Sequence, residues 1–270
     1  MCKITVVEWN IRGAASFPWH NGYEIKNWVV DEILKDIPMC VILTEFVISK
    51  GWDYLQSELE RKEYIWFVKS FTGGNGVLIA IKKDVGFDCT DICKYNPGYV
   101  LNNEILIGTE VPDFYEIRVK YNKDLLSIIG VRIRKDIYVT NPNYMLNQFA
   151  LLDDYLSSIG HKVICVGDFN AYWAGKWKTP QNTTLPKTAV NFSLHTPRYN
   201  VGDWYSYVQP NGKGTQLDHL ITNIKFKQID VRYVWGFVNS ANGYAQLSKS
   251  DYKNKVGIPD HAIFKTDIFL

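Results

Sequence analysis

The sequence predicts an α/β protein in which two mixed β-sheets pack face to face as a two-layer sandwich, with helices outside. Three observations predict it. Short apolar segments rich in Val, Ile and Leu recur along the 270 residues, while only three segments hold a helical spacing. Val163-Ile164-Cys165-Val166 runs without a polar interruption, as a strand buried on both faces does. No linker or compositional break divides the chain, so residues 1–270 are expected to form one domain.

The elements follow in order. Ile4–Trp9 is a first strand that ends at Asn10 and a small-residue turn, Gly13-Ala14-Ala15. Asn27–Ile37 places Trp28, Val29, Ile33 and Leu34 at helical spacing, with Pro38 just past its end. Cys40–Leu43 is a second buried strand, stopping at Thr44-Glu45, and Asp53–Arg61 is a short helix. Tyr64–Val68 and Val77–Ile81 are strands joined through Thr72-Gly73-Gly74-Asn75-Gly76. Residues 86–103 show no pattern that assigns them. Phe114–Val119 and Leu125–Ile133 are strands, and a helix over Asn143–Ser158 starts after Pro142 and closes at Gly160. The strand beginning at Val163 follows. Ala171–Gly202 is long, polar and aromatic, a length that inside a compact domain points to function. Trp204–Val208, Gln216–Thr222, Val231–Val234 and Ala262–Leu270 complete the strands. Glu8-Trp9-Asn10 and Asp168-Phe169-Asn170 echo one another, but three residues do not make a repeat.

Composition excludes several classes. An apolar fraction of 46% and a charged fraction of 21% are those of a soluble globular protein. No apolar run approaches the roughly 18 residues of a membrane span, and the start of the chain lacks a leader pattern, so no membrane partner and a cytoplasmic location are expected. The cysteines (Cys2, Cys40, Cys89, Cys93 and Cys165) are odd in number, which favours reduced thiols over a disulfide framework. Net charge, +2, decides nothing, but its distribution does. Between His161 and Lys227 eight Lys or Arg face three Asp, a local excess of +5, interleaved with Tyr172, Trp173, Trp177, Tyr199, Trp204, Tyr205 and Tyr207. Cations beside stackable rings suit a phosphate-rich strand with bases, and equally an ordinary solvated loop.

Polar residues at strand ends carry the chemistry. Asn10, Glu45, Asp168 with Asn170, and Asp260 with His261 each sit where an apolar strand ends or begins. Asp218 interrupts the otherwise apolar Leu217–Ile221, with the ordinarily structural His219 on the opposite face. Asp168 and Asn170, two apart, point the same way on an extended chain. Strand ends on one rim converge, and clustered carboxylates repel unless a cation joins them. An oxygen-rich set with one imidazole suits Mg²⁺, Mn²⁺ or Ca²⁺ rather than zinc. Glu8 shares the parity of Asn10 and is a further candidate for the metal shell. His20, His161 and His195 have no such context and are expected at the surface.

Taken together, Trp9-Asn10, Thr44-Glu45, Gly167-Asp168-Phe169-Asn170, Leu217-Asp218-His219 and Pro259-Asp260-His261 resemble, in order and spacing, the endonuclease/exonuclease/phosphatase superfamily. Gly74-Asn75-Gly76-Val77-Leu78-Ile79 is similar to that family's glycine-to-strand step. The resemblance implies the deoxyribonuclease-I-like four-layer sandwich. It implies Glu45 as the main metal ligand with Asn10 beside it. Asp168 and Asn170 would position the attacking water and the phosphate. His261 would hydrogen-bond phosphoryl oxygens or accept a proton, oriented and charged by Asp218, and Asp260 would be a further metal or water contact. Two departures stand out. Where the family has a His or Tyr at the end of the mid-chain strand, this chain has Arg132, unless the counterpart is Tyr138. Pro259 stands where Ser is usual. A guanidinium binds phosphate bidentately but gives no proton to a leaving group.

The expected function is therefore a Mg²⁺-dependent phosphodiesterase acting on nucleic acid, DNA before RNA, most simply an endonuclease leaving 3′-hydroxyl and 5′-phosphate ends. Arg132, Tyr172, Trp173 and Trp177 are the expected substrate contacts. One alternative keeps the chemistry and changes the substrate to a phospholipid, inositol phosphate or nucleotide messenger. Against inositol phosphatases, no Arg follows Asp168-Phe169-Asn170-Ala171, and Gln216-Leu217-Asp218-His219 replaces a Trp-Cys-Asp-Arg run. Against apurinic-site endonucleases, Glu45 is followed by Phe46-Val47 and not Thr-Lys. A second alternative, raised by Arg132, is a binding module that has lost turnover.

Overall fold

A computed structural model describes residues 3–11, 24–70, 75–83, 86–95, 100–101, 104–105, 111–121, 123–135, 144–170, 192–198, 202–209, 212–238 and 259–270. In chain order the elements are β1 (Lys3–Asn10), α1 (Asn27–Leu34), β2 (Cys40–Phe46), α2 (Trp52–Arg61), β3 (Tyr64–Ser70), β4 (Gly76–Lys82), β5 (Phe87–Tyr95), β6 (Val100–Leu101), β7 (Glu104–Ile105), β8 (Asp113–Tyr121) and β9 (Asp124–Arg132). They continue with α3 (Tyr144–Ser158), β10 (Lys162–Asp168), β11 (Ser193–His195), β12 (Tyr207–Val208), β13 (Gly214–Thr215), β14 (Asp218–Thr222), β15 (Gln228–Val234), a 3₁₀ turn (Gly236–Val238) and β16 (Ile263–Phe269).

Two six-stranded sheets form, in the orders β15-β16-β1-β2-β4-β3 and β11-β14-β10-β9-β8-β5. They share one plan. Each has a single parallel pair at its centre, β1 with β2 and β9 with β10, and antiparallel neighbours on both sides. A parallel pair needs a crossover, and α1 and α3 lie within the two crossovers. The plan matches β1 to β9 and β2 to β10. The echo of Glu8-Trp9-Asn10 in Asp168-Phe169-Asn170 therefore joins non-equivalent strands, and no repeat underlies it.

Side-chain alternation sorts the apolar residues into layers. Ile4 and Val6 of β1, Cys40 and Ile42 of β2, Leu126 and Ile128 of β9, and Ile164 and Val166 of β10 face inward and form one core between the sheets. Val7, Trp9, Val41 and Leu43 face outward and pack with Val29, Val30, Ile33 and Leu34 of α1. Ile129, Val131, Val163 and Cys165 pack with Phe149, Leu152 and Leu156 of α3. Continuing the inward parity along β1, β9, β10 and β14 reaches Asn10, Arg132, Asp168 and Asp218. These charged and amide side chains are the last layer of the inter-sheet core, where it meets one rim of the sandwich. Gly130 lets the sheets close there, because a Cβ at that position would lie 2.5 Å from Val77 Cγ1 and 2.9 Å from Ile42 Cγ2.

Boundaries differ from the sequence expectation for identifiable reasons. The first helix ends at Leu34 rather than Ile37, since Pro38 bars residue 37 from helical geometry, and Ile37 takes φ 47°. Residues 86–103, unassigned from sequence, contain β5 and the start of the β6–β7 pair. Trp204–Val208 and Gln216–Thr222 shorten to β12 and β14. Ser206 Oγ accepts hydrogen bonds from the Leu217 and Asp218 amides at 2.8 and 3.2 Å, and so replaces ladder pairing there. β15 begins at Gln228 and not Val231; as an edge strand with an exposed face it lacks a continuous apolar signal. His161 and His195 are half-buried rather than surface residues. His161 Nε2 lies 2.7 Å from Ser127 Oγ, and the His195 ring stands edge-on to Phe226. Cys40 and Cys165 are buried free thiols. Among the described residues no helix is long and apolar enough to cross a membrane.

Candidate active site

The site begins with two strand ends from different sheets. Asn10 closes β1 beside Thr44 of β2. Glu45 follows at φ 48°, where the β2–β4 register shifts between Leu43 and Phe46. Such a backbone costs a non-glycine residue and marks places that structure elsewhere enforces. In the second sheet Asp168 closes β10, in register with Arg132 of β9 on one side and Asp218 of β14 on the other. Gly167 makes this row tight: a Cβ there would fall 1.8 Å from the Val131 carbonyl oxygen.

Hydrogen bonds join the two sheets at this rim. Asn10 Nδ2 donates to Asp168 Oδ2 at 2.9 Å and to Glu45 Oε1 at 3.2 Å. Asn170 donates its amide to Asp168 Oδ1 at 2.8 Å, and its Nδ2 to Asp168 Oδ2 at 2.9 Å and to the Ile133 carbonyl at 2.8 Å. Asn170 thus reaches Asp168 through an Asx turn at φ 49°, not through the extended parity expected from sequence. His261 Nδ1 lies 2.8 Å from Asp218 Oδ2. Two hydrogen bonds fix this histidine's segment: the Trp9 side chain donates from Nε1 to the His261 carbonyl at 2.8 Å, and the Ala262 amide donates to the Ser206 carbonyl at 2.7 Å.

Arg132 makes the remaining links. Its Nη2 lies 2.8 Å from Glu45 Oε1 and its Nη1 3.3 Å from Asp113 Oδ2. Asp113 is itself buried, and its other oxygen accepts from Arg134 Nε at 2.6 Å. Sequence reading missed Asp113 and Arg134. Neither carries a motif, and only the β8–β9 register, which sets Asp113 opposite Arg132, brings them in.

These groups open into a cleft of about 720 Å³ lined by Glu45, Arg132, Asp168, Asn170, Asp260 and His261, together with Tyr207, Gln209 and Thr215. Lys135 and Leu217 complete the lining. Tyr207 was visible in sequence as an interleaved aromatic within the expected strand Trp204–Val208, without a role at the site; its ring lies 5.1 Å from that of His261. Of the expected site residues, Asn10, Glu45, Arg132, Asp168, Asn170, Asp218, Asp260 and His261 come together. Tyr138, Tyr172, Trp173 and Trp177 lie outside the described residues. Glu8 is fully buried on the same inner face, and its Oε1 accepts from Thr44 Oγ1 at 3.0 Å, but it does not line the cleft. His219 is buried on the opposite face against Phe169, the structural place its parity predicted.

Burial pushes the Asp168 carboxyl up to about 7, with Asp218 and Glu45 acting the same way and His261 and Arg132 against. Burial opposes a charge on His261, but the charge and hydrogen bond of Asp218, aided by Asp168 and Asp260, outweigh it and raise the imidazole to about 10. Burial, then the charge of Asp218, raises Glu8 well above the usual carboxylate range. The site therefore pairs an imidazolium with carboxylates that compete for protons. A cation relieves that competition, and donor atoms of Asp168, Asp218 and His261 lie within 4.8 Å of one another. Asp218 Oδ1 is buried without a hydrogen-bond partner among the described residues. This donor chemistry, oxygen-rich and crowded, fits a hard divalent ion.

A model of the endonuclease/exonuclease/phosphatase family matches residues 7–251. The chain belongs to this family. As an endonuclease/exonuclease/phosphatase family member it is a metal-dependent hydrolase of phosphoric ester bonds. Solved structures show the same fold. Truncated TDP2 of Caenorhabditis elegans aligns with TM-score 0.64 at 14% identity, covering 99% of this chain and 98% of that one. TDP2 of D. rerio complexed with single strand DNA product aligns with TM-score 0.61 at 10% identity, covering 99% of both chains. The inositol polyphosphate 5-phosphatase domain of SPsynaptojanin, in complex with inositol (1,4)-bisphosphate and calcium ion, aligns with TM-score 0.58 at 12% identity, covering 99% of this chain and 83% of that one. No curated protein matches the sequence.

Proposed function

We propose that this single catalytic domain, residues 1–270, is a Mg²⁺-dependent phosphodiesterase hydrolysing nucleic acid, most simply a DNA endonuclease leaving 3′-hydroxyl and 5′-phosphate ends. One observation carries the reading. Asn10, Glu45, Asp168 and Asn170 are linked across the two sheets, and the Asp218–His261 pair stands at the same rim. Glu45 and Asn10 would hold the ion, with Asp168 and Asp260 beside them. Mn²⁺ or Ca²⁺ would satisfy the same oxygen donors. The ion, when bound, supplies charge neutralisation at nonbridging phosphate oxygens.

The chain's own groups supply the rest. Asp168, with its raised proton affinity, accepts the proton of an attacking water that Asn170 helps to place. His261, kept charged by Asp218, donates hydrogen bonds to phosphoryl oxygens as negative charge builds. Arg132 contacts the phosphate. Tyr207, exposed to the cleft, offers a ring face to a base. Tyr172, Trp173 and Trp177 extend that surface in this reading.

A second reading keeps the site and takes an inositol phosphate as substrate. The likeness to the inositol polyphosphate 5-phosphatase domain favours it, and the absence from this sequence of the Trp-Cys-Asp-Arg run weighs against it. Purified protein with Mg²⁺ offered plasmid, single-stranded DNA, RNA and an inositol phosphate separates the two. Turnover of the inositol phosphate with all three nucleic acids intact ends the nucleic-acid reading.

A further inference from the structure

We propose that Arg132 couples cation binding to phosphate binding: its guanidinium competes with the divalent cation for Glu45, and binds substrate phosphate when it yields. The inference rests on the proposed metal role of Glu45. Glu45 Oε1 receives two donors, Arg132 Nη2 at 2.8 Å and Asn10 Nδ2 at 3.2 Å. An ion bound through the Glu45 carboxylate would therefore meet a guanidinium already held on it. Arg132 does not surrender its charge by deprotonating, so a cation must share the carboxylate with it or replace it, and two positive charges on one carboxylate repel.

The guanidinium stays in the cleft after yielding, because Asp113 holds Nη1 from behind. Asp113 is in turn anchored by Arg134. Arg132 Nε is buried without a hydrogen-bond partner among the described residues, so the fork is not saturated. Its side chain lines the cleft beside Asp168, in register on the neighbouring strand. A planar fork with freed N–H groups is complementary to the oxygens of a phosphate. A His or Tyr at this place would lack the permanent charge needed to hold Glu45. Cation and phosphate then favour each other: the cation releases the guanidinium and the phosphate keeps it released. By linkage the effect is the same in both directions.

Calorimetric titration of the full chain with Mg²⁺, with and without inorganic phosphate, tests this without turnover. In wild type, phosphate tightens Mg²⁺ binding about tenfold, the worth of one charge-assisted hydrogen bond. In Arg132→Met, Mg²⁺ alone binds about tenfold more tightly than in wild type, and phosphate adds less to it than it does in wild type, only what its own attraction to the ion supplies. Should the Met variant fail to fold, Arg132→Lys keeps the charge but cannot bridge Glu45 and Asp113 in one plane, and it too must bind Mg²⁺ more tightly. Unchanged or weaker Mg²⁺ binding in the folded variants overturns the proposal. A protein that shows this Arg132 signature and cuts no nucleic acid refutes the substrate reading alone. One that cuts nucleic acid without the signature refutes the coupling alone.

Discussion

Asn10 and Asp168 meet at 2.9 Å although they close strands of different sheets. The site is therefore not a property of either sheet but of how closely the two approach. Each residue continues the inward parity of an apolar strand, so the packing that buries Ile4, Val6, Ile164 and Val166 also sets the distance between the polar ends. Stability and site geometry share one set of contacts.

Widening the gap should therefore harm activity more than stability. Gly130→Ala places a methyl 2.5 Å from Val77 Cγ1 and 2.9 Å from Ile42 Cγ2, so both side chains must move aside. Overpacking of this kind costs about 1–3 kcal/mol. At this chain length that lowers Tm by only a few degrees. Turnover is expected to fall by about two orders of magnitude, since small misplacements of reacting groups are that costly. Steady-state assays beside thermal melts check it; an enzyme with reduced Tm and full turnover would show that the inter-sheet distance is not limiting.

A second expectation concerns the pair at the rim. Asp218→Asn keeps the shape but removes the charge and the acceptor that hold His261 ionised. The His261 resonances should titrate near pH 10 in wild type and well below that value in the variant, since burial alone disfavours the imidazolium. Turnover should drop about 10²–10³-fold, the usual worth of one donor aimed at developing negative charge. NMR titration of His261 decides the point, and an unmoved midpoint would separate the two residues functionally.

Most of this rim was legible in the sequence, because polar residues that end buried strands announce themselves against an apolar background. Asn10, Glu45, Asp168, Asp218 and His261 each broke an apolar pattern. Asp113 and Arg134 were not legible: each looks like an ordinary charge flanking a strand, and only cross-strand register reveals that they brace Arg132. The β13 side of the cleft was hidden too, since β13 is two residues long and too short for any period, whereas β12 lies within the expected strand Trp204–Val208. Strand boundaries slipped where a side chain replaced a ladder bond, as Ser206 does beside β14, a substitution invisible to hydropathy.

Removing Arg132's support should resemble removing Arg132. Asp113→Asn leaves the guanidinium a weaker anchor and leaves Arg134 without its buried ion-pair partner. Breaking a buried pair from one side costs about 3–5 kcal/mol, so Tm should fall clearly. The KM for a phosphodiester should rise more than kcat falls, because Arg132 would lose the placement that binds phosphate. Denaturant melts and kinetics with a generic phosphodiester supply both numbers; an increase confined to kcat loss would assign Arg132 to the chemical step instead.

Stability should depend on pH in a direction that Asp168 and His261 determine, with the raised Glu8 acting the same way. Asp168 titrates at about 7 in the fold, against about 3.9 for an unfolded chain. His261 titrates at about 10, against about 6.5 unfolded. In both cases the folded protein binds the proton more tightly, so stability falls as pH rises. The Asp168 contribution is fully present below about pH 4 and is lost through pH 7; that of His261 is present below about pH 6.5 and is lost towards pH 10. In EDTA, Tm should therefore decline steadily between pH 5 and pH 9. Asp168→Asn should flatten the lower half of that decline, and Asp218→Asn the upper half. Divalent ions compete with protons for the same oxygens, so added Mg²⁺ should raise Tm at pH 8 and do little at pH 5.5. Thermal melts across this grid of pH, variant and metal test each part separately. A Tm in EDTA that is level or rising from pH 6 to pH 9, with no change in Asp168→Asn, would mean that neither buried group holds its proton as the geometry requires.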